Sequence, residues 1–367
     1  MANSFKFRGK IRKLKENGYT EQTYDSGWMT RKLKFTMVCG DNSHFFECSG
    51  GKWKDDSKNM VYTFSKATET EKGKNIQVAW ADRLKKDEVD KVAAFKKYII
   101  DTELFTVRKE IRDSGDEAAL AESMKKHHEF LAQWDFVETL NKLASSEKAK
   151  DMIFEISGNI EYSYNAEKNK YYMSYVPTRV YRVADDAKQI SEATMDVFYT
   201  ADSLDDSMVD ETGNILVNAY TQYYERNVKK NVFAPVSLVI KSDNPKAEGF
   251  KKIFAKAQDD QVRKTSLAIE CVNGAQRVEI TMEMLSDEQK ELIEYNIMTF
   301  EDIKRDMGGE AYGDKIVENR IVGLAKGSTK GSEETVFTTA DVCKKPVKEE
   351  IVTDLFAGDD DDDLDII

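Results

Sequence analysis

The residues of this sequence with the clearest chemical potential are lysines, arginines and aromatic residues that alternate along short N-terminal segments. Cations neutralise phosphates and flat rings stack on unpaired bases, so together they form the surface that a single-stranded nucleic acid requires. Within residues 1–150 the candidates are Lys6, Arg8, Lys10, Arg12, Trp28, Lys32, Lys34, Lys52, Trp53, Lys54, Tyr62 and Phe64. Because stacking tolerates any base, this surface predicts binding without strong sequence preference.

A second, less basic set of the same residue types follows in the other half of the chain. Its members are Tyr172, Arg179, Arg182, Tyr224, Arg226, Lys229 and Lys230. Two roles stay open for this set: it extends the path of the strand, or it contacts other proteins.

The chain ends in an acidic tail that finishes with apolar residues. Residues 349–367 hold nine acidic and no basic residues, which leaves only -3 of the formal net charge of -12 for the rest of the chain. Such a segment buries too little apolar surface to fold alone, so we expect it to be disordered. The tail is either a solubilising appendage or a docking segment, and we favour docking by Asp359, Asp360, Asp361, Asp362, Asp363, Leu364, Asp365, Ile366 and Ile367.

Enzymatic chemistry finds little support in this sequence. His127 and His128 stand in tandem on a predicted helix and therefore point in different directions. The segment "GGEAYGDK" has Asp314 where a phosphate-binding loop requires Lys. The paired aspartates at 185–186, 205–206 and 259–260 fall in predicted turns or helix ends rather than on rigid strands. We therefore predict no enzyme and no cofactor, with a nuclease as a minor alternative.

Cys39, His44 and Cys48 could be three zinc ligands, but they lack a close C-x-x-C pair and a fourth partner. We predict no metal site, with Cys39 as a buried strand residue. The four scattered cysteines fit a reducing compartment. Since no secretion signal and no 18-residue apolar run is present, we expect a cytoplasmic protein, in the host cytoplasm if it is viral.

The elements that must position these residues are mostly strands. "FKFRGKI" at 5–11 alternates apolar and basic residues, and "WMTRKLKFTMVC" at 28–39 repeats this pattern before a turn at 40–42. Residues 85–149 show helical periodicity. The opening motif recurs as "FEISGNI" at 154–160, which suggests a second copy of the sheet. The fold class is therefore mainly β with inserted helices (α+β).

The recurrence and the composition divide the chain into three parts. Residues 1–150 form a first module that includes the helical region 85–149. Residues 151–325 form a second module. Residues 326–367 form a flexible linker and the acidic tail, since "KGSTKGSEE" has linker composition.

This combination of a cationic and aromatic strand surface, a linker and an acidic tail resembles the single-stranded DNA-binding proteins of bacteriophage and bacterial replication. The resemblance implies two OB-like antiparallel barrels and no enzymatic activity. It also implies roles in DNA replication, recombination and repair, with the tail recruiting replication proteins and competing with DNA. Tails of that family often end in an aromatic residue, so Ile366 and Ile367 are a departure from its pattern.

A different class of function is the main alternative. An adaptor or assembly protein would use the basic strands to bind an acidic protein, and the tail as a docking peptide. That alternative predicts no affinity for oligonucleotides.

Overall fold

The computed structural model describes residues 3–12, 18–278, 280–306, 311–328 and 330–346. The strands up to residue 182 are β1 (Ser4–Arg12), β2 (Tyr19–Thr23), β3 (Trp28–Cys39), β4 (Asn42–Trp53), β5 (Met60–Phe64), β6 (Asn75–Ala79), β7 (Tyr98–Asp101), β8 (His127–Phe130), β9 (Ile153–Asn165) and β10 (Lys170–Arg182). The α-helices of this stretch are α1 (Lys86–Lys91), α2 (Phe105–Ser114), α3 (Glu117–Met124) and α4 (Gln133–Ala144).

The later part of the chain also consists of strands with helices between them. Its strands are β11 (Ile190–Tyr199), β12 (Leu204–Asp205), β13 (Asn214–Glu225), β14 (Lys230–Lys241), β15 (Gln261–Val278), β16 (Ala311–Leu324) and β17 (Glu333–Thr338). Its helices are α5 (Val209–Thr212), α6 (Ala247–Phe254), α7 (Asp287–Glu294), α8 (Phe300–Asp306) and α9 (Thr339–Cys343). The predicted mainly β fold with inserted helices is confirmed.

Alternation of apolar and polar residues determines the faces of the N-terminal strands. Phe5, Phe7 and Ile11 of β1 are buried, whereas Lys6 and Lys10 are exposed. The rings of Phe7 and His44 stack with centroids 4.1 Å apart. The predicted strand 5–11 and its inward residues are therefore confirmed, as is the turn between β3 and β4.

The N-terminal strands surround the hydrophobic core that contains Phe5, Phe7 and Ile11. β1 pairs with β3 and β3 with β4, while on the other side β1 pairs with β9 and β9 with β10. Phe46 of β4 meets Tyr175 of β10 with centroids 6.1 Å apart. The helix α4 packs Phe136, Val137 and Leu140 into the same core. We call β1, β3, β4, β9 and β10 the N-terminal ring.

The later strands close a second ring. β11 pairs with β13, β13 with β14, β14 with β16 in parallel, β16 with β15 and β15 with β11. Here α6 covers one end, since Phe254 packs against Tyr199 with ring centroids 4.9 Å apart. We call these five strands the C-terminal ring.

β1 connects the two rings. Residues 4–8 of β1 pair with β11, residues 10–12 with β3, and the opposite edge pairs with β9. Among the described residues the result is one 15-stranded sheet, beside the two-stranded sheet β5–β6. Two separate OB-like barrels are therefore not confirmed as such, because hydrogen bonds run from one ring into the other.

The two copies of the recurrent motif lie side by side in this sheet. β1 and β9 are antiparallel neighbours, with Phe5 opposite Gly158 and Gly9 opposite Phe154. A Cβ on Gly9 would lie 1.9 Å from the carbonyl oxygen of Val38, and one on Gly158 would lie 2.0 Å from that of Val176. The shared glycine thus has the same function in both copies: it lets the backbone of another strand approach.

Replacing Gly158 with Ala is expected to lower the free energy of unfolding by about 1–3 kcal/mol, because the backbone of β10 cannot yield to the added methyl group. Gly249 is the matched control, since no atom lies within 4 Å of a Cβ placed there. In the helix α6, Gly249→Ala should stabilise by about 0.5–1 kcal/mol. Urea unfolding followed by circular dichroism measures both, and equal effects of the two substitutions would contradict the argument.

Several local predictions are wrong, because pairing with other strands determines the structure of these segments. His127 and His128 lie on β8 rather than on a helix, because β8 pairs with β7 inside the region 85–149. The sequence "NGA" at 273–275 predicts a hairpin turn, but β15 continues through these residues. The stretch from residue 326 is partly folded, because β17 pairs with β15 and Val342 of α9 is buried.

Candidate nucleic-acid interface

A large cleft runs between the two rings. Its volume is about 1090 Å³. It extends from the outer side of β4 and the first turn of α4, across β9, to the connection between β13 and β14. Its aromatic and cationic lining consists of Trp28, Trp134, Tyr162, Phe198, Tyr223, Tyr224, Arg226 and Lys264.

Trp28 and Trp53 stand opposite each other on β3 and β4. Their ring centroids are 5.2 Å apart and the rings meet edge to face. The Trp28 ring lies across Gly51, because a Cβ on Gly51 would come within 2.2 Å of its Cζ2 atom. The Asn59 side chain accepts a 2.8 Å hydrogen bond from the Trp53 amide and donates one of 2.9 Å to the Trp53 carbonyl. The tryptophan pair is therefore held in place on the sheet.

Trp134 in the first turn of α4 forms the adjoining wall of the cleft. It is buried, and the guanidinium of Arg31 lies 3.9 Å from its ring centroid. Arg31 in turn pairs with Glu138 at 2.7 Å and Glu21 at 3.1 Å. The sequence gives no sign that Trp134 lines a cleft, because in the apolar face of a predicted helix it has no feature that separates it from the core.

The β13–β14 connection forms the opposite wall. The buried Glu225 carboxylate accepts hydrogen bonds from the amides of Tyr164 and Asn227 at 3.2 and 3.1 Å, and one from the Tyr223 hydroxyl at 3.3 Å. These bonds anchor the connection to β9. Tyr224 and Arg226 on either side of Glu225 are exposed at the cleft.

Several of the cations predicted from the sequence already have protein partners. Arg8 pairs with Glu155 at 2.5 Å and Lys52 with Asp56 at 2.9 Å. Two ion pairs are longer: Lys34 with Glu47 at 3.6 Å and Arg182 with Asp185 at 3.9 Å. Arg179 donates a hydrogen bond of 3.1 Å to the Ala94 carbonyl. The more open candidates are Lys6, Lys10, Arg12, Lys32, Lys54, Arg226, Lys229 and Lys230, which are all exposed.

The structure does not bring the remaining aromatic candidates into the cleft. Tyr62 is 75% exposed on β5 and belongs with Phe64 to the small β5–β6 sheet, where Phe64 meets Phe95 with centroids 5.9 Å apart. Tyr172 is exposed on β10, with the Lys170 ammonium 5.6 Å from its ring centroid. Their role in binding stays a prediction.

Cys39, His44 and Cys48 are all buried in the core. Burial raises the pKa of both thiols to about 12 and lowers the pKa of His44 to about 4. The thiols are therefore protonated at neutral pH, which does not suit metal binding. The part of the chain that the structure describes contains no group of three His, Cys, Asp or Glu side chains placed to hold a metal ion.

The tail residues 359–367 lie outside the described residues. None of the helices that the structure describes is long and apolar enough to cross a membrane.

Comparison of this sequence with protein-family models finds no match, and comparison with curated protein sequences finds none either. Among solved structures it matches the wild-type single-stranded DNA-binding protein from Thermus aquaticus, with 8% identity, 74% of this chain and 85% of that chain covered, and a TM-score of 0.32. A deletion mutant of the same protein matches with 10% identity, coverage of 78% and 97%, and a TM-score of 0.32. Superposition at this level supports no conclusion about the function of this chain.

Proposed function

We propose that this protein binds single-stranded DNA in the cleft between the two rings. The observation that carries the proposal is that one cleft brings together Trp28 of β3, Tyr224 near the end of β13 and Arg226 of the β13–β14 connection, which the sequence placed in separate modules. Rings on both walls offer stacking surfaces to successive bases. The exposed lysines and arginines beyond the cleft offer charges to the phosphates.

The proposed architecture is a pair of OB-like barrels. In support, the C-terminal ring has the pairing order β11, β13, β14, β16, β15, with a helix between its third and fourth strands in sequence and a parallel contact between β14 and β16. The N-terminal ring follows the same order with α4 in the equivalent place. The second and third strands of OB-folds form their binding face. In the N-terminal ring both of these strands, β3 and β4, line the cleft, and in the C-terminal ring the second strand, β13, lines it. The division between the barrels then falls between β10 and β11 rather than at residue 151.

The biological setting that we propose is DNA replication, recombination and repair. The support is chemical: an acidic tail that ends in Leu364, Ile366 and Ile367 offers carboxylates to a basic protein surface and apolar side chains to a pocket. The same carboxylates would compete with DNA for the cations near the cleft. The tail thus recruits partner proteins and weakens DNA binding.

Fluorescence anisotropy of labelled oligo-dT, as single strand and as duplex, tests this function across a salt titration. We expect a preference for the single strand, a steep fall in affinity with salt, and tighter binding by a chain that ends at Lys345. Equal affinity of the shortened chain at low salt would refute competition by the tail alone. No binding by either chain would refute the DNA-binding function and leave the adaptor function in its place.

A further inference from the structure

The outer face of the small sheet β5–β6 carries aromatic and apolar side chains that do not line the cleft. Tyr62 is 75% exposed and Met60 is 42% exposed on β5, and Phe95, which follows α1, is 66% exposed. Phe64 lies two residues beyond Tyr62 on the same strand, and its ring centroid is 5.9 Å from that of Phe95. Large side chains that are exposed together in this way mark a contact surface.

Polar and cationic side chains accompany these rings. Gln77 of β6 stands opposite Tyr62 in the pairing of the two strands. Both residues, together with Asn75 and Lys96, line a pocket of about 420 Å³. The two side-chain amides offer donors and acceptors to the edge of a base, and the exposed Lys96 offers a charge to a phosphate. The outer face therefore combines the groups that an unpaired nucleotide requires.

This face continues from the tryptophan pair beside the cleft. Trp53 is the last residue of β4, and Met60 is the first residue of β5. The buried Asn59 side chain is hydrogen-bonded to the amide and the carbonyl of Trp53, so the residue that precedes Met60 contacts Trp53 directly. Trp53 in turn meets Trp28, which lines the cleft. A strand that leaves the cleft past the two tryptophans therefore reaches Met60 next.

The small sheet is also fixed to the wall of the cleft by a shared core. Val61 and Val78 on its inner face pack in one cluster with Trp80 and with Trp134, the cleft residue of α4. The Lys52 ammonium lies 6.0 Å from the ring centroid of Trp80 and 5.5 Å from that of Trp134. Because this core holds the outer face in place relative to the cleft, a strand can bind to both without the cost of ordering a loop.

We propose that the outer face of β5–β6, with Phe95 and Lys96, is a second contact site for single-stranded DNA that extends beyond the cleft. Bases stack on Tyr62, Phe64 and Phe95, and Lys96 contacts a phosphate. Continuity with the cleft selects this ligand, since the strand held at Trp28 is delivered to this face. The inference rests on the proposed function and deepens it, because it gives the direction in which the strand leaves the cleft.

Oligo-dT of two lengths, about 8 and about 20 nucleotides, tests this site in the anisotropy assay, because one OB-fold binds roughly 4–16 nucleotides. The double variant Tyr62→Ala/Phe95→Ala should bind the longer strand about tenfold more weakly, and the shorter strand as the wild type does. Trp28→Ala should weaken the binding of both lengths. Lys96→Gln removes one phosphate contact, so it should lower the slope of log affinity against log salt by about 0.7 for the longer strand alone.

The double variant Phe105→Ala/Tyr295→Ala is the matched control. It removes a phenylalanine and a tyrosine that are 74% and 68% exposed and that line neither the cleft nor the pocket beside Tyr62, so the binding of both lengths should be unchanged. Wild-type affinity of the Tyr62→Ala/Phe95→Ala variant for the longer strand would overturn the second site. An equal loss at both lengths, or the same loss in the control, would overturn it too. No binding of either length by the wild type would remove the proposed function as well.

Discussion

Replacing Trp28 with Ala is expected to weaken the binding of single-stranded DNA by about 5- to 150-fold, the equivalent of about 1–3 kcal/mol for one stacked base. Trp28 is the aromatic residue at the cleft that β3 holds against Gly51 and Trp53. Its ring lines the cleft and is only partly buried, so a base can reach it. Anisotropy with oligo-dT measures the loss, and the salt slope should stay unchanged because no cation is removed.

A second variant tests the position of the ring rather than its presence. Gly51→Val keeps Trp28 but places side-chain atoms where its ring now lies. It should therefore weaken binding in the same direction as Trp28→Ala. Phe105→Ala is the matched control, since Phe105 is 74% exposed on α2 and does not line the cleft. If Phe105→Ala weakened binding as much as Trp28→Ala, the cleft would not be the site of stacking.

Replacing Asp101 with Ala is expected to lower the free energy of unfolding by about 3–5 kcal/mol, because it leaves the buried Arg108 guanidinium without its counter-charge. Asp101 at the end of β7 accepts hydrogen bonds from both terminal nitrogens of Arg108 on α2, one of them at 2.8 Å. It also contacts the His127 Nδ1 atom at 2.8 Å. This network fastens α2 to β7 and β8. Urea unfolding and limited proteolysis within residues 105–124 measure the loss.

The stabilisation by Asp101 should depend on pH. Burial acts to raise the pKa of Asp101, but hydrogen bonds from Arg108 and His127 outweigh it and hold the pKa below its ordinary value. A lowered pKa means that the carboxylate stabilises the fold above about pH 4, and that this contribution is lost as the pH falls further. The difference between the wild type and Asp101→Ala should therefore shrink in acid. Glu110→Ala, an exposed change on α2, should show neither effect.

Local patterns predicted the elements that depend on few distant contacts. The alternation around Phe5 and Phe7 correctly predicted a strand and its buried face. Ser286 followed three residues later by Gln289 is a capping-box pattern that predicts a helix start, and α7 does begin there. The same pattern in Ser114 and Glu117 predicts another helix start, but this prediction is wrong: Ser114 ends α2, and Asp116 caps α3 by accepting from the Ala119 amide. Ser114 and Asp116 are both residue types that cap helices. Which of them caps α3 depends on the three-dimensional course of the backbone.

The residue types that line the cleft could be predicted from the sequence, but the strands that come together to form it could not. The residue types at Trp28, Tyr224 and Arg226 indicated base and phosphate contacts, but nothing in the sequence states that β13 returns to β11 or that β9 lies beside β1. Neither pairing leaves a periodic signal, because alternation along a strand shows which of its faces is buried but not which strand lies beside it. For the same reason Tyr162, Trp134 and Lys264 were not candidates, since each reaches the cleft only through the tertiary fold.

The central position of β1 has a consequence for how the chain is made. The strand is synthesised long before its neighbours β9 and β11, which begin only at Ile153 and Ile190. At translation rates of about 5–20 residues per second, it waits roughly 10–40 s for the last of them. During this interval Phe5 and Phe7 have no partner strand on either edge of β1. Contacts over such sequence distances also slow folding. We therefore expect newly made chains to depend on the protection of this segment, and truncations before residue 199 to aggregate.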